Sequence, residues 1–88
     1  MNQSILFPDL QQWDSERQRV HFPVQVQGAT LDCYIGIQAL AKLAECECLS
    51  DSQVLQVFEE HRFDIEDWVE TLIEREAFDE HGAIQLQP

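Results

Sequence analysis

The sequence predicts an α+β domain in which a small antiparallel sheet carries two or three helices on one face. Two stretches that alternate apolar and polar residues, 20–26 and 29–35, flank a Gln-Gly turn signal. Apolar positions at helical spacing follow over residues 37–75, and residues 83–87 alternate again. The length of 88 residues suits one domain over residues 1–88.

The hairpin is the best specified part of the predicted sheet. Its alternation places Phe22 opposite Cys33 and His21 opposite Tyr34, across a turn with one positive φ. Pro23 cannot donate a hydrogen bond to a strand ladder, so we expect an edge strand or a proline nitrogen that faces outward.

Residues that precede the hairpin are less clearly patterned. Residues 5–7 are apolar and either form an extra strand or do not. Residues 11–17 are expected to be irregular or a single turn, with Asp14 as a possible cap.

Helical periodicity begins directly after the hairpin. Gly36 is a permissive N-cap for a first helix, and Ser50 with Gln53 forms a capping box for a second. The apolar stripe of the first helix contains Ile37, Leu40, Ala41 and Ala44. The expected inner face of the second contains Val54, Leu55, Phe58 and His61.

A break near Asp64 would start a third helix. Asp64 suits an N-cap, and Phe63 with Trp68 matches a hydrophobic staple. The apolar stripe runs through this point, so one kinked helix over residues 51–78 stays an alternative to two helices. A turn at His81-Gly82 then leads to the last strand, with Ile84 and Leu86 pointing inward.

Charge is distributed unevenly along the chain. The whole sequence has 5 basic and 17 acidic residues, a net charge of −12. Residues 1–44 hold four acids and three bases, a net of −1, whereas residues 45–88 hold thirteen acids and two bases, a net of −11. This excess disfavours direct nucleic-acid binding and anionic membrane surfaces, and it is compatible with a basic partner or with solubility alone.

Sequence features relevant to cellular location are few. No apolar run approaches the roughly 20 residues of a membrane span, and no signal peptide is visible at the N-terminus. We therefore expect a cytoplasmic protein whose three cysteines are free thiols.

Metal and nucleophile chemistry are both disfavoured by the cysteine pattern. Cys46 and Cys48 would point about 200° apart on a helix, and in a loop they would still lack a second ligand pair. Glu45 and Glu47 flank them and oppose thiolate formation. We predict no metal, no cofactor and no catalytic residue.

Four residues are candidates for binding. Arg62 lies in the acidic half and either ties down carboxylates or helix-end carbonyls, or forms an anion site where sheet and helices meet. His21 and Tyr34 should lie side by side on the sheet face away from the helices, either exposed to solvent or in a dimer or partner surface. Cys33 points inward and suits a small core residue.

Several segments together resemble a known family. They are LFPD, WDSERQRVHFP, Gly28, Cys33 followed by IGIQAL, and VFEEHRFDIE. In this combination the chain resembles the small bacterial proteins grouped as domain of unknown function 1488, over nearly its whole length. The resemblance implies a small α+β domain without an assigned activity, and it marks Cys33 and Arg62 as residues to follow. Gly36 departs from the pattern, where a serine-like cap is usual.

These observations favour a non-enzymatic, acidic interaction module that self-associates as a homodimer or binds a basic protein partner. The alternative is an anion-binding or small-molecule-binding protein, or a weak enzyme, centred on Arg62. A mimic of DNA that sequesters a nucleic-acid-binding protein is allowed by the charge but has no specific signal.

Overall fold

A mixed five-stranded sheet packs one face against three helices in the computed structural model, which describes residues 5–47 and 49–87. The α+β class is confirmed. The elements in chain order are β1 (Ile5–Leu6), β2 (Gln12–Asp14), β3 (Arg19–Val26), β4 (Ala29–Gly36), α1 (Ile37–Leu43), α2 (Asp51–Glu60), α3 (Arg62–Glu74) and β5 (Ile84–Leu86).

The β3–β4 hairpin has the predicted register. Phe22 pairs with Cys33, and His21 pairs with Tyr34. The turn differs from the expected one because Gln27 and Gly28 both have positive φ, of 54° and 85°. Two positive values give the turn a twist that matches the right-handed twist of the flanking strands.

The direction of β5 corrects the prediction of a wholly antiparallel sheet. β5 pairs with β4 in parallel, and Ile35 lies beside Leu86. Three helices connect the two strands and return the chain to the end of the sheet where β4 began. A crossover of this kind makes the joined strands parallel. Ile84 and Leu86 are buried as expected.

The opposite edge of the sheet is built from two short strands. The apolar residues 5–7 do contribute a strand, β1, which pairs with residues 25–26, while β2 pairs with residues 19–21. Neither pairs with residues 22–24, where Pro23 has no N–H to offer. The strand pairing along this side of β3 is therefore interrupted at Pro23. β3 itself is an inner strand of the sheet and not an edge strand.

β2 replaces the irregular segment that the sequence suggested. The Asp14 side chain does cap the following turn, since its Oδ1 accepts hydrogen bonds from the backbone N–H groups of Glu16 (3.1 Å) and Arg17 (3.2 Å). Residues 7–11 bridge β1 and β2. We call them the edge loop.

The helical region contains two helices after α1, with the break at His61 rather than near Asp64. His61 has φ −111° and ψ 23°, and α3 begins at the next residue. Phe63 is 87% exposed, so the expected hydrophobic staple is wrong, and Leu55 is also exposed at 37%. The capping box is present, because the Ser50 N–H donates to Gln53 Oε1 at 3.1 Å.

The core lies between the sheet and the helices. Phe58 of α2 meets Phe22 of β3 edge to face, with ring centroids 5.1 Å apart. Ile65 and Val69 of α3 and Ile35 of β4 are fully buried beside them. Over the residues that the structure describes, no helix is long and apolar enough to cross a membrane.

Candidate functional site

Arg62, at the start of α3, binds the edge loop. Its Nε donates to Glu66 Oε2 at 3.0 Å, its Nη1 to Gln11 Oε1 at 3.0 Å, and its Nη2 to the Pro8 carbonyl at 2.7 Å. Gln11 in turn donates to Glu59 Oε2 at 2.6 Å. We call these five residues the Arg62 cluster.

All three nitrogens of the Arg62 guanidinium donate hydrogen bonds to other groups of the protein. Its side chain is only 18% exposed, and carboxylate oxygens of Glu66, Glu59 and Asp9 lie 3.0, 3.6 and 3.8 Å from it. These contacts match the structural role considered for Arg62, in which the arginine binds carboxylates and carbonyl groups of the protein itself. An incoming anion would meet three negative charges there.

His21 and Tyr34 lie together on the outer sheet face, the face turned away from the helices. Their rings stack, with centroids 4.9 Å apart and planes 22° from parallel. The Arg19 guanidinium lies over the Tyr34 ring, 3.8 Å from its centroid. On the far side of this row, His21 Nε2 is 2.9 Å from Asp32 Oδ1. Four side chains of β3 and β4 thus form one continuous row.

A groove runs beside this row. It has a volume of about 530 Å³ and is open to solvent. It is lined by Gln12, Trp13, Asp14, Ser15, Glu16, Arg17, Arg19, His21 and Tyr34. We call it the outer groove. Its lining combines aromatic rings, hydrogen-bond donors and two arginines, so the groove has the means to bind a polar ligand.

Strand register explains why Arg19 reaches Tyr34. Arg19 is paired with Gly36, which has no side chain, and the space around the Gly36 Cα is open. The arginine therefore leans toward the next outward residue of β4, which is Tyr34. The Nε of Arg19 is buried without an acceptor among residues 5–47 and 49–87.

The two arginines at the outer groove differ in their partners. Arg17 Nη1 is 3.3 Å from Asp14 Oδ2. The backbone N–H of Arg17, together with this side chain, holds the pKa of the Asp14 carboxyl below its ordinary value. Arg19 has no carboxylate within 4 Å in the described part of the chain.

Cys33 occupies the core side of β4, between the outward residues Asp32 and Tyr34. Its thiol is fully buried, and burial, with a smaller contribution from Asp32, raises its pKa to about 12. The thiol is therefore protonated at neutral pH and unsuited to nucleophilic attack. Cys46 is exposed, and Cys48 lies outside the described residues. No group of three or more His, Cys, Asp or Glu among the described residues could hold a metal ion.

Acidic side chains are exposed along α2 and α3. Phe63 lies among them in the sequence, after Glu60 at the end of α2 and before Asp64 and Asp67 of α3, all of which are exposed. Within α3, Asp67 is one helical turn after Phe63 and on the same side of the helix. We call these four residues the acidic aromatic patch.

Comparison with known proteins agrees with the sequence resemblance. The model of the family described as "Protein of unknown function (DUF1488)" matches residues 5–86. The chain belongs to the DUF1488 family. Its relatives include the uncharacterized protein YrdB of Escherichia coli (strain K12), which is 37% identical over 98% of this chain and 99% of that protein. YrdB of Shigella flexneri is 36% identical over the same shares.

A solved DUF1488 structure has the same fold. The crystal structure of a DUF1488 protein from Shewanella loihica PV-4 superposes with a TM-score of 0.87 at 48% identity, covering 97% of this chain and 93% of that one. The edge loop, the hairpin and the helices all fall inside the range matched by the DUF1488 model.

Sequence reasoning identified Arg62, His21 and Tyr34 but missed Arg19 and Phe63 as site residues. Arg19 could have been found, because it lies two residues before His21 and faces a glycine in the predicted hairpin register. Phe63 was assigned to a staple, and only the position of the helix break shows that its ring is exposed.

Proposed function

We propose that this protein is a non-enzymatic interaction module that binds a basic protein partner through the acidic aromatic patch. The observation that carries this proposal is the exposure of Phe63, at 87%, among carboxylates. Fully burying a phenylalanine side chain contributes about 1.5–3 kcal/mol. Burying the exposed Phe63 ring at an interface would therefore contribute a free energy of this size to binding.

The charge around Phe63 selects the kind of partner. Glu60 and Asp67 have no Lys, Arg or His within 4 Å in the part of the chain that is described, and Asp64 has only His61, at 3.8 Å. A partner with an apolar pocket rimmed by lysine or arginine would cover the ring and neutralise these carboxylates. An aromatic anchor inside a charged rim is a common arrangement of binding hot spots.

Two further observations support a binding role in the cytoplasm. The high pKa of Cys33 removes one candidate nucleophile. Cys33 and Cys46 are both free, as suits a reducing compartment.

The experiment compares three forms of the tagged protein as bait in extract of the encoding organism. They are wild type, Phe63→Ala and Phe78→Ala. Phe78 is a matched control because it is also an exposed phenylalanine, at 42%, and lies beyond α3. We expect a basic protein to be retained by wild type and Phe78→Ala and lost with Phe63→Ala.

A direct measurement with the purified partner then completes the test. Calorimetry should give an affinity at least tenfold weaker for Phe63→Ala, with an unchanged unfolding temperature, because the ring makes little contact in the folded chain. The affinity should also fall as salt rises. Equal binding by the Phe63 and Phe78 variants would refute the proposal, as would a complex that light scattering shows to be a homodimer only.

A further inference from the structure

Arg19 carries a half-buried positive charge that the described protein does not neutralise. The chain has five basic residues against seventeen acidic ones, so a cation without a carboxylate is unexpected. Arg17 and Arg62 have carboxylate partners, and Lys42 and Arg75 are exposed to water. Arg19 is half-buried, its Nε has no acceptor, and it has no ion-pair partner within residues 5–47 and 49–87.

Two carboxylates of the outer sheet face are directed to donors other than Arg19. Asp14 is its register partner on β2, and its oxygens accept hydrogen bonds from Arg17 and from backbone N–H groups of the turn. Asp32, on the outer side of β4, is held by His21 at 2.9 Å. Asp14 and Asp32 are thus engaged elsewhere, and no carboxylate of the described residues lies within 4 Å of the Arg19 guanidinium.

The groove provides room for an acceptor beside Arg19. Its volume of about 530 Å³ is in the range of small-molecule sites, roughly 300–1,000 Å³. Arg19 lines it, and its Nε is buried without an acceptor among the described residues. A guanidinium donates hydrogen bonds and accepts none, so what Arg19 lacks is an acceptor.

An apolar pocket adjoins the outer groove. It has a volume of about 280 Å³ and is lined by Leu10, Gln11, Gln12, His21 and Pro23. Gln12 and His21 line both spaces, so the two lie next to each other on the outer sheet face. Leu10 is 62% exposed, so its side chain is available to cover an apolar group.

We propose that the outer groove binds a small organic monocarboxylate, with its carboxylate on Arg19 and its apolar part toward Leu10 and Pro23. A guanidinium presents a planar fork that fits a carboxylate, and contact with the Tyr34 ring at 3.8 Å already fixes its orientation. Asp14 and Glu16 line the same groove and repel additional negative charge, so one charge is favoured over two.

The test is an NMR titration of the full ¹⁵N-labelled chain. The probes are sodium octanoate, sodium acetate, sodium phosphate and sodium chloride at matched ionic strength. We expect octanoate to give saturable shifts of the Arg19 Nε–Hε signal and of the His21 and Tyr34 amides. Acetate should bind at least fivefold more weakly because it lacks the apolar part, and chloride should give no saturable shift.

Variants assign the site to Arg19. Arg19→Gln should weaken octanoate binding at least tenfold, Arg19→Lys at least threefold because the fork is lost, and Arg75→Gln should leave it unchanged. If Arg19→Gln does not fold, the lysine variant decides. Unchanged binding in Arg19→Lys, shifts confined to another surface, or tighter binding of phosphate than of octanoate would each overturn the proposal.

Discussion

The Arg62 cluster and the outer groove use the same side chain in opposite ways. Arg62 donates to Glu66, Gln11 and the Pro8 carbonyl, and three carboxylates surround it. Arg19 rests on an aromatic ring and has no acceptor in the described residues. A guanidinium whose donors are all occupied stabilises the fold, whereas one whose donors are free is able to recognise a ligand.

The same contrast separates the two faces of β4. Cys33 points to the core and its neighbours Asp32 and Tyr34 point outward. Burial keeps the inward Cys33 thiol protonated and unreactive, whereas the outward side chains of Asp32 and Tyr34 make polar and aromatic contacts on the outer sheet face. Three measurements test these two contrasts and a fourth tests the turn before β5, and they follow in order of decreasing expected effect.

The largest effect is expected for the reactivity of Cys33. A rise in pKa from 9.0 to about 12 lowers the thiolate fraction roughly 1,000-fold, and burial slows access further. Cys33 should therefore react with iodoacetamide far more slowly than the exposed Cys46. Trypsin cleaves after Lys42 and separates Cys33 from Cys46, and fragmentation of the 43–62 peptide distinguishes Cys46 from Cys48, so tandem mass spectrometry reports each rate. Rates within tenfold of each other would contradict the assignment of Cys33 to the core.

The second effect concerns the stability that Arg62 provides. Replacing Arg62 with alanine should lower the free energy of unfolding by about 3 kcal/mol, because Glu66 and the Pro8 carbonyl lose a part-buried partner. Urea unfolding measures this change. Arg75→Ala is the control at an exposed position after α3, with an expected change within about 0.5 kcal/mol. A loss below about 1 kcal/mol for Arg62→Ala would remove the structural role.

The third effect is smaller and concerns the stability that Arg19, the second arginine of the comparison, provides. Arg19→Ala should lower the free energy of unfolding by no more than about 1 kcal/mol, since the contact with Tyr34 is the interaction that is removed. The same urea experiment applies. If this variant proved as unstable as Arg62→Ala, Arg19 would be a second structural arginine and the contrast would fail.

The smallest effect is a pH dependence at Asp79. Hydrogen bonds from the Gln85 side chain and from the backbone N–H groups of Ala83 and His81 lower the pKa of Asp79. A lowered folded pKa stabilises the protein above the unfolded value of about 3.9, and this stability is lost as pH falls through the folded pKa. Asp79→Asn should reduce the fall in unfolding temperature between pH 6 and pH 3. An identical pH profile for variant and wild type would show that Asp79 contributes nothing.

Local patterns predicted most of the secondary structure. Alternation and turn chemistry were sufficient for the β3–β4 register, and Ser50 with Gln53 marked the start of α2. Local signals were misleading where the sequence was compatible with more than one helix boundary. Asp64 and Phe63 satisfy the rules for a cap and staple, but the helix break lies at His61 and the Phe63 ring is exposed.

The sequence alone determined the α+β class, the hairpin that brings His21 beside Tyr34, and the concentration of negative charge in the helical half. These properties depend on residues near one another along the chain, where period, turn type and charge can be read directly. Only the tertiary structure decided that β5 is parallel, that Arg62 is saturated by the edge loop, and that Arg19 is left without an acceptor. Each of these depends on which residues, distant along the chain, pack against a given strand or side chain. The spacing of residues in the sequence does not show those contacts.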